Sequence, residues 1–282
     1  MVENRPAFTI TAHAVLALGV AFMVAPVWLA FVASTHPGAD FLSGRLPLWP
    51  GPDFVRNYGA VLSQGVSKAG APAIAGMLAN SLVMATLIAV GKIAISLLSA
   101  FAIVYFRFPF RVAAFWIIFL TLMLPVEVRI LPTFEVVSQL GLLNSYAGLT
   151  VPLIASATAT FLFRQFFMTL PDELAEAARI DGASPMGFFR DILLPLSRTN
   201  IAALFVILFV YGWNDYLWPL IVTNSPEMRT AVIGIDSLIP RTSQLPEWNI
   251  AMAAAMMVLL PPVIVIVTMQ RWFVKGLIET EK

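Results

Sequence analysis

The sequence predicts an all-α protein that crosses a membrane six times, with a polar helical hairpin between the fourth and fifth crossings. Three observations carry that expectation. Apolar residues make up 59% of the 282 and charged residues only 12%, against about 25% charged in a soluble domain. Long apolar blocks recur at about residues 13–34, 73–105, 112–131, 146–168, 200–222 and 250–274, near the roughly 20 residues that a bilayer core requires of a helix. The polar stretch 169–199 carries the punctuation of two short helices rather than of a spanning one. With no water in hydrocarbon to satisfy the backbone, such blocks read as helices.

The first apolar run, His13 to Ser34, is long enough to span, and no small-residue cleavage site follows it, so it reads as a retained helix rather than a leader. Residues 35–72, rich in Pro and Gly, read as a loop, with Trp49, Phe54 and Tyr58 as interfacial aromatics. The second block, Ala73 to Tyr105, would reach about 50 Å at 1.5 Å per residue, so it must tilt or project. Lys92 lies inside it. An ionisable side chain at membrane depth marks either a transport path or a snorkelling or carboxylate-paired structural lysine.

Arg107, Pro109 and Arg111 form the connection into the third span. Glu127 and Arg129 near its end either satisfy each other or place Arg129 on the path. Tyr146 to Met168 is the fourth span and Ile201 to Val222 the fifth. The cluster Tyr211 to Pro219 (YGWNDYLWP) reads as an interfacial aromatic belt, or as a path lining through Asn214 and Asp215. Residues 223–249 read as a loop. The sixth span holds Pro261-Pro262, which predicts a kink.

Composition also excludes chemistry. There is no cysteine, and the two histidines, His13 and His36, form no ligand pattern. Gly91-Lys92 lacks the glycine-rich lead and the following Ser or Thr of a phosphate-binding loop, so the chain carries no ATPase motif of its own. A net charge of +1 gives no case for nucleic acid.

The hairpin carries the most information. Thr169 is the expected cap of its first helix, with Pro171 in the first turn and Asp172, Glu173 and Glu176 where the helix dipole favours negative charge. Arg179 sits near the end, and Gly182 supplies the left-handed stop. Ser184-Pro185 begins a second helix through Phe188, Phe189, Ile192 and Leu193, which Pro195 is expected to break. Five acidic residues outnumber Arg179, Arg190 and Arg198, so the stretch suits a protein partner better than an anionic membrane surface. The alternative is a connector packed on its own bundle.

Glu176-Ala177-Ala178-Arg179-Ile180-Asp181-Gly182-Ala183, followed by Phe189 and Leu194-Pro195, resembles the EAA motif of ABC-importer permeases. The resemblance implies a cytoplasmic coupling helix that docks into a groove on an ATPase subunit. It assigns ATPase coupling to Glu176, Ala177, Ala178, Asp181, Gly182 and Ala183, with the alanines allowing close approach and the acidic groups offering acceptors. Arg198-Thr199-Asn200 departs from the family pattern, where many relatives carry proline. Over its whole length the chain is similar to the carbohydrate-uptake branch of that family. In MVENRP, LSAFAIVYFRFPFR, TLMLPVEVRILPT and ATATFLFRQFFMTLPDELAEAARIDGASPM it is similar to permease subunits of bacterial sn-glycerol-3-phosphate importers.

That resemblance implies a second homologous permease subunit, two copies of an ATPase subunit that uses ATP and Mg, and a periplasmic substrate-binding protein. It implies transport of sn-glycerol-3-phosphate, and of glycerophosphodiesters, by alternating access. A sugar as cargo of the same architecture is the alternative; a secondary transporter, a channel or a purely structural subunit fits the hairpin less well. A phosphate monoester needs a cationic or donor-rich path, for which Asn80, Lys92, Arg129 and Asn214 are the candidates, although the partner permease of such importers often holds most substrate contacts. With the N-terminus inside, ten Lys and Arg fall on the cytoplasmic side and six outside. This places both termini and the hairpin in the cytoplasm of a bacterial cell with the chain in its inner membrane, against lipid.

Overall fold

The computed structural model describes residues 6–42, 47–63, 73–121, 126–238 and 247–278, and every element among them is helical. Three helices are long and apolar enough to cross a membrane on their own: Thr9–Ser34 within α1 (Pro6–Ser34), α4 (Ile74–Tyr105), and Trp248–Trp272 within the last helix. Two bent pairs meet the same test together, Tyr146–Leu153 with Ala157–Thr169 (48°) and Pro185–Leu196 with Arg198–Trp213 (71°). The shorter apolar helix α5 (Arg111–Leu120) is followed by α6 (Val126–Gln139). By length and composition, then, the described helices supply three crossings, or up to five with the bent pairs.

The chain packs as two units. One comprises Met1–Gly76 with Gly234–Leu259. Residues 35–63, expected to be loop, form α2 (Gly38–Leu42) and the amphipathic α3 (Phe54–Ser63) within it. Residues of this unit engage polar groups of the turn after α1. Buried Asn57 donates to the carbonyls of Ser34 (2.8 Å) and His36 (2.9 Å) and accepts from Asn249 (3.1 Å). Gly51 N–H donates to Thr35 Oγ1 at 2.7 Å. Phe54 stacks on Tyr58 at 4.3 Å.

The other unit comprises Met77–Ile233 with Leu260–Lys282. Its core joins Met84 and Ile88 of α4 to Val137 of α6, Leu149 of α7 (Tyr146–Thr150), and Trp218 and Val222 of a short helix, Leu217–Val222. Small residues let backbones close on α4. A Cβ on Gly212 would sit 3.2 Å from Ala85 Cα, and one on Gly91 would collide with Ile154 at 2.6 Å. The bend after Leu153 is where Ser156 caps α8 (Ala157–Thr169) by accepting from Ala159 N–H.

Further expectations change. Thr169 is the last residue of α8 and back-bonds to the Phe166 carbonyl at 2.7 Å; Pro171 is the cap of α9 (Asp172–Ile180). An apolar helix running on into Thr-Leu-Pro leaves the threonine on its own last turn, because Pro171 is tolerated only at or before a helix start. Pro195 does not break the second hairpin helix, α10 (Pro185–Leu196). A π-turn over Phe189–Leu193 absorbs the proline's missing donor, and the break falls instead at fully buried Ser197, whose hydroxyl back-bonds to Leu193 at 2.6 Å. Trp213 and Trp218 are core residues, 1% and 3% exposed, rather than a lipid-interface belt. Residues 231–237, expected to be loop, form the helix Ala231–Ser237. The last helix, Trp248–Ile278, is continuous through Pro261-Pro262.

Candidate functional site

The turn of the hairpin and the start of its second helix are built as their punctuation dictates. α9 ends on Asp181, and Gly182 takes φ +76 with open space where a Cβ would be, so its role is conformational. Ser184 Oγ accepts from Gly187 N–H at 3.1 Å, and Pro185 opens α10. One face of the hairpin seats on the end of α4. Phe188 meets Tyr105 edge-on at 5.2 Å, Phe189 packs on Phe101 at 5.1 Å, and Tyr105 reaches Phe167 at 6.1 Å. Ala178 is 5% exposed and joins this inner face, beside a groove of about 520 Å³ that Tyr105, Arg107 and Ala183 also line.

The other face is open. Glu176, Ala177, Asp181, Gly182 and Ala183 are exposed. Between them stands Ile180, 86% exposed, with Met186 at 59%. Of the two alanines assigned to close approach, only Ala177 faces outward; Ala178 lets the hairpin itself sit close on α4. Arg190 forms a two-pronged bond to the neighbouring Asp191 (2.7 and 3.0 Å), which raises the guanidinium and lowers the carboxyl from their usual values. Ile180 and Met186 were not singled out from the sequence, although a large apolar residue at each side of a polar turn is a visible signal.

The four candidate path residues divide. Asn80 is 5% exposed and fully engaged: its amide nitrogen donates to the carbonyls of Glu227 (2.6 Å) and Arg229 (3.0 Å), and its oxygen accepts from Tyr146 (2.6 Å). It ties α4 to the turn after Ser225. Lys92 is 8% exposed, with Nζ over the Tyr211 ring at 4.3 Å, and the charges of Asp215 and Arg129 both act on it. Arg129 is exposed on α6, and the Glu127 side chain offered as its partner lies outside the described residues. Asn214 is exposed where Arg198–Trp213 ends. The structure therefore sets Lys92 against Tyr211 and engages Asn80 elsewhere, with Tyr146 and the turn at Glu227 and Arg229. Tyr211 was not singled out as a path residue, whereas Asp215 was offered with Asn214 as a path lining, on the ground that an acidic group in an apolar block is costly to face to lipid.

Among the described residues no group of three or more His, Cys, Asp or Glu is placed to hold a metal. What the geometry offers is an exposed ledge that is acidic and apolar, and a buried lysine on α4 against an aromatic ring.

Residues 92–279 match the family model described as binding-protein-dependent transport system inner membrane component. Over all 282 residues, and over the full length of each relative, the chain is 56% identical to the sn-glycerol-3-phosphate transport system permease protein UgpE of Agrobacterium fabrum and to that of Rhizobium meliloti, and 57% identical to that of Salmonella typhi. Among solved structures, a bacterial ABC transporter involved in import of the acidic polysaccharide alginate superposes with a TM-score of 0.81 at 22% identity, over 97% of this chain and 99% of that one. That likeness concerns the fold. With the family model spanning most of the chain and relatives matched end to end, the chain belongs to the inner-membrane permease components of binding-protein-dependent ABC importers.

Proposed function

We propose that the chain is one permease subunit of an ATP-driven importer of sn-glycerol-3-phosphate, with glycerophosphodiesters as further cargo. The observation that carries the cargo is the full-length identity of 56% to permeases of sn-glycerol-3-phosphate transport systems. The coupling role rests on the hairpin: a helix stop, an αL glycine and a capped second helix present Glu176, Ala177, Ile180 and Asp181 outward. In this reading α9 and its turn dock on an ATPase subunit that binds ATP and Mg, while this chain binds neither. A homologous second permease, two ATPase copies and a periplasmic binding protein complete the machine, and both termini and the hairpin lie in the cytoplasm, with six crossings.

Transport then follows alternating access. ATP closes the ATPase pair, the hairpin carries that motion through Phe188, Phe189 and Tyr105 into α4, and α4 carries Lys92. A doubly charged phosphate crossing an apolar bundle is stabilised by cations along its way, and Lys92 with Arg129 supplies them here. Lys92→Ala is therefore expected to lower uptake while leaving ATP hydrolysis coupled. An unchanged uptake rate would return Lys92 to a packing role on Tyr211.

The direct test is reconstitution in liposomes with the partner permease, ATPase and binding protein. Saturable, ATP-dependent uptake of radiolabelled glycerol-3-phosphate, not inhibited by maltose, is the expected result. Uptake of a sugar in its place would keep the machine and discard the cargo.

A further inference from the structure

We propose that the groove between α5 and α8 binds the headgroup of an anionic phospholipid, a site separate from both the hairpin ledge and Lys92. The groove holds about 460 Å³ and is lined by Arg111, Trp116, Phe119, Phe161, Arg164 and Met168 among others, with no carboxylate among them. Among the described residues neither of its two arginines forms an ion pair. Arg164 lies with its guanidinium carbon 4.2 Å from the centre of the Phe115 ring, and its Nε is buried with no hydrogen-bond partner among the described residues. Arg111 donates only a long bond, 3.4 Å, to the Phe106 carbonyl. A buried guanidinium donor left unpaired costs free energy until an acceptor arrives.

A third donor set points the same way. The ten-residue helix α5 begins after Phe110, which is in the left-handed region (φ 63) and provides no side-chain cap, and its first turn has no acidic residue. The Arg111 N–H makes a long bond of 3.4 Å to the Phe108 carbonyl, and the following first-turn N–H groups carry partial positive charge with no side-chain cap. Two planar guanidinium groups and an open helix start suit the oxygens of a phosphate.

The surroundings choose a lipid over a soluble anion. From the groove the outward side of α5 continues as Val112, Trp116, Ile117 and Leu120, each more than half exposed. In an inner-membrane protein such a face meets acyl chains, and tryptophan favours the headgroup level. The groove also lies at the hairpin end of the helices, since Arg164 precedes the hairpin by one turn of α8 and Arg111 follows α4, whose Tyr105 packs on Phe188. A phospholipid with its phosphate between Arg111 and Arg164 and its chains along α5 satisfies every one of these features.

The test uses the purified full chain in detergent, offered equal amounts of phosphatidylglycerol and phosphatidylcholine, with retained lipid counted by native mass spectrometry. Phosphatidylglycerol is expected to be retained preferentially, by about five-fold for each arginine engaged. Arg111→Gln with Arg164→Gln should bring the two lipids to parity, and Arg229→Gln, away from the groove, should not. Equal retention of both lipids by the unaltered chain would overturn the proposal without reliance on any variant. Preference surviving the double substitution would also overturn it. Displacement of the lipid by millimolar inorganic phosphate would reassign the groove to a soluble anion.

Discussion

At Asn80 both ends of one amide are engaged, and the three partners lie 66 to 149 residues away in sequence. Truncation to alanine would leave the Glu227 and Arg229 carbonyls and the Tyr146 hydroxyl short of a partner, at a cost on the order of 2–3 kcal/mol. Asn80→Ala should therefore lower the melting temperature in detergent by several degrees, and Tyr146→Phe by less, because it removes one bond and leaves one acceptor. An unchanged melting temperature in both would show that water replaces these bonds freely. His36 makes a comparable argument with a pH axis. Its Nε2 lies 2.9 Å from the Trp49 carbonyl and its Nδ1 3.0 Å from the Asp40 carboxylate. Both partners accept, so both ring nitrogens must donate, and the imidazolium is favoured. The pKa is raised above 6.5, first by the Trp49 bond and then, against some desolvation, by Asp40. A raised folded value means the contribution is complete below about pH 6.5 and is lost as pH climbs through the folded pKa. Hydrogen exchange of residues 36–42, corrected for intrinsic rate, should accelerate as pH rises above about 6.5, and His36→Gln should flatten that dependence.

At the scale of elements, the hairpin was the most legible part of the chain. Ser184-Pro185 and Gly182 fix backbone states that few other residues provide, so the second cap and the turn could be placed from sequence. Thr169 could not, because a threonine before Leu-Pro serves equally as the last residue of one helix or the cap of the next. Pro195 was misjudged for a different reason. A proline's effect depends on whether the preceding turn can widen, and the π-turn at Phe189–Leu193 is decided by packing of Phe188 and Leu193. The tryptophans at 213 and 218 were ambiguous on physical grounds, since an aromatic ring suits a headgroup belt and a core alike. Trp218 is buried against Met84, Ile88 and Leu149 and donates its Nε1–H to the Gly148 carbonyl, all remote in sequence, while Trp213 stacks on Phe209. For the hairpin the expectation is functional. Glu176→Lys reverses a charge on the open face, and Gly182→Asp adds about 1 kcal/mol of left-handed strain with a charge beside Asp181. Both should abolish ATP-dependent uptake while the chain still reaches the membrane at normal abundance, as read by membrane fractionation alongside transport. Normal uptake in both would mean that the ledge couples to nothing.

For the whole molecule the open matter is how many times the chain crosses, and α5 decides it. Ten helical residues cover about 15 Å, half a hydrocarbon core, so Arg111–Leu120 crosses only in combination with α6. Two sites report on this by parity. Trp49 is 77% exposed before α4, and Ala183 is exposed at the hairpin turn. Between them lie α4, the α5–α6 segment and the bent pair ending at Thr169. If the α5–α6 segment crosses, three passages separate the two sites and they lie on opposite sides of the membrane. If it does not, two passages separate them and they share a side. The sequence has no cysteine, so Trp49→Cys and Ala183→Cys each create a single reactive thiol. With a membrane-impermeant maleimide, Trp49→Cys should label in intact spheroplasts and Ala183→Cys only in inverted vesicles. Six crossings, the cytoplasmic excess of Lys and Arg, and a hairpin within reach of an ATPase all require that result. Labelling of both thiols from one side would remove α5 and α6 from the membrane together, and with them the apolar environment that the α5 face requires.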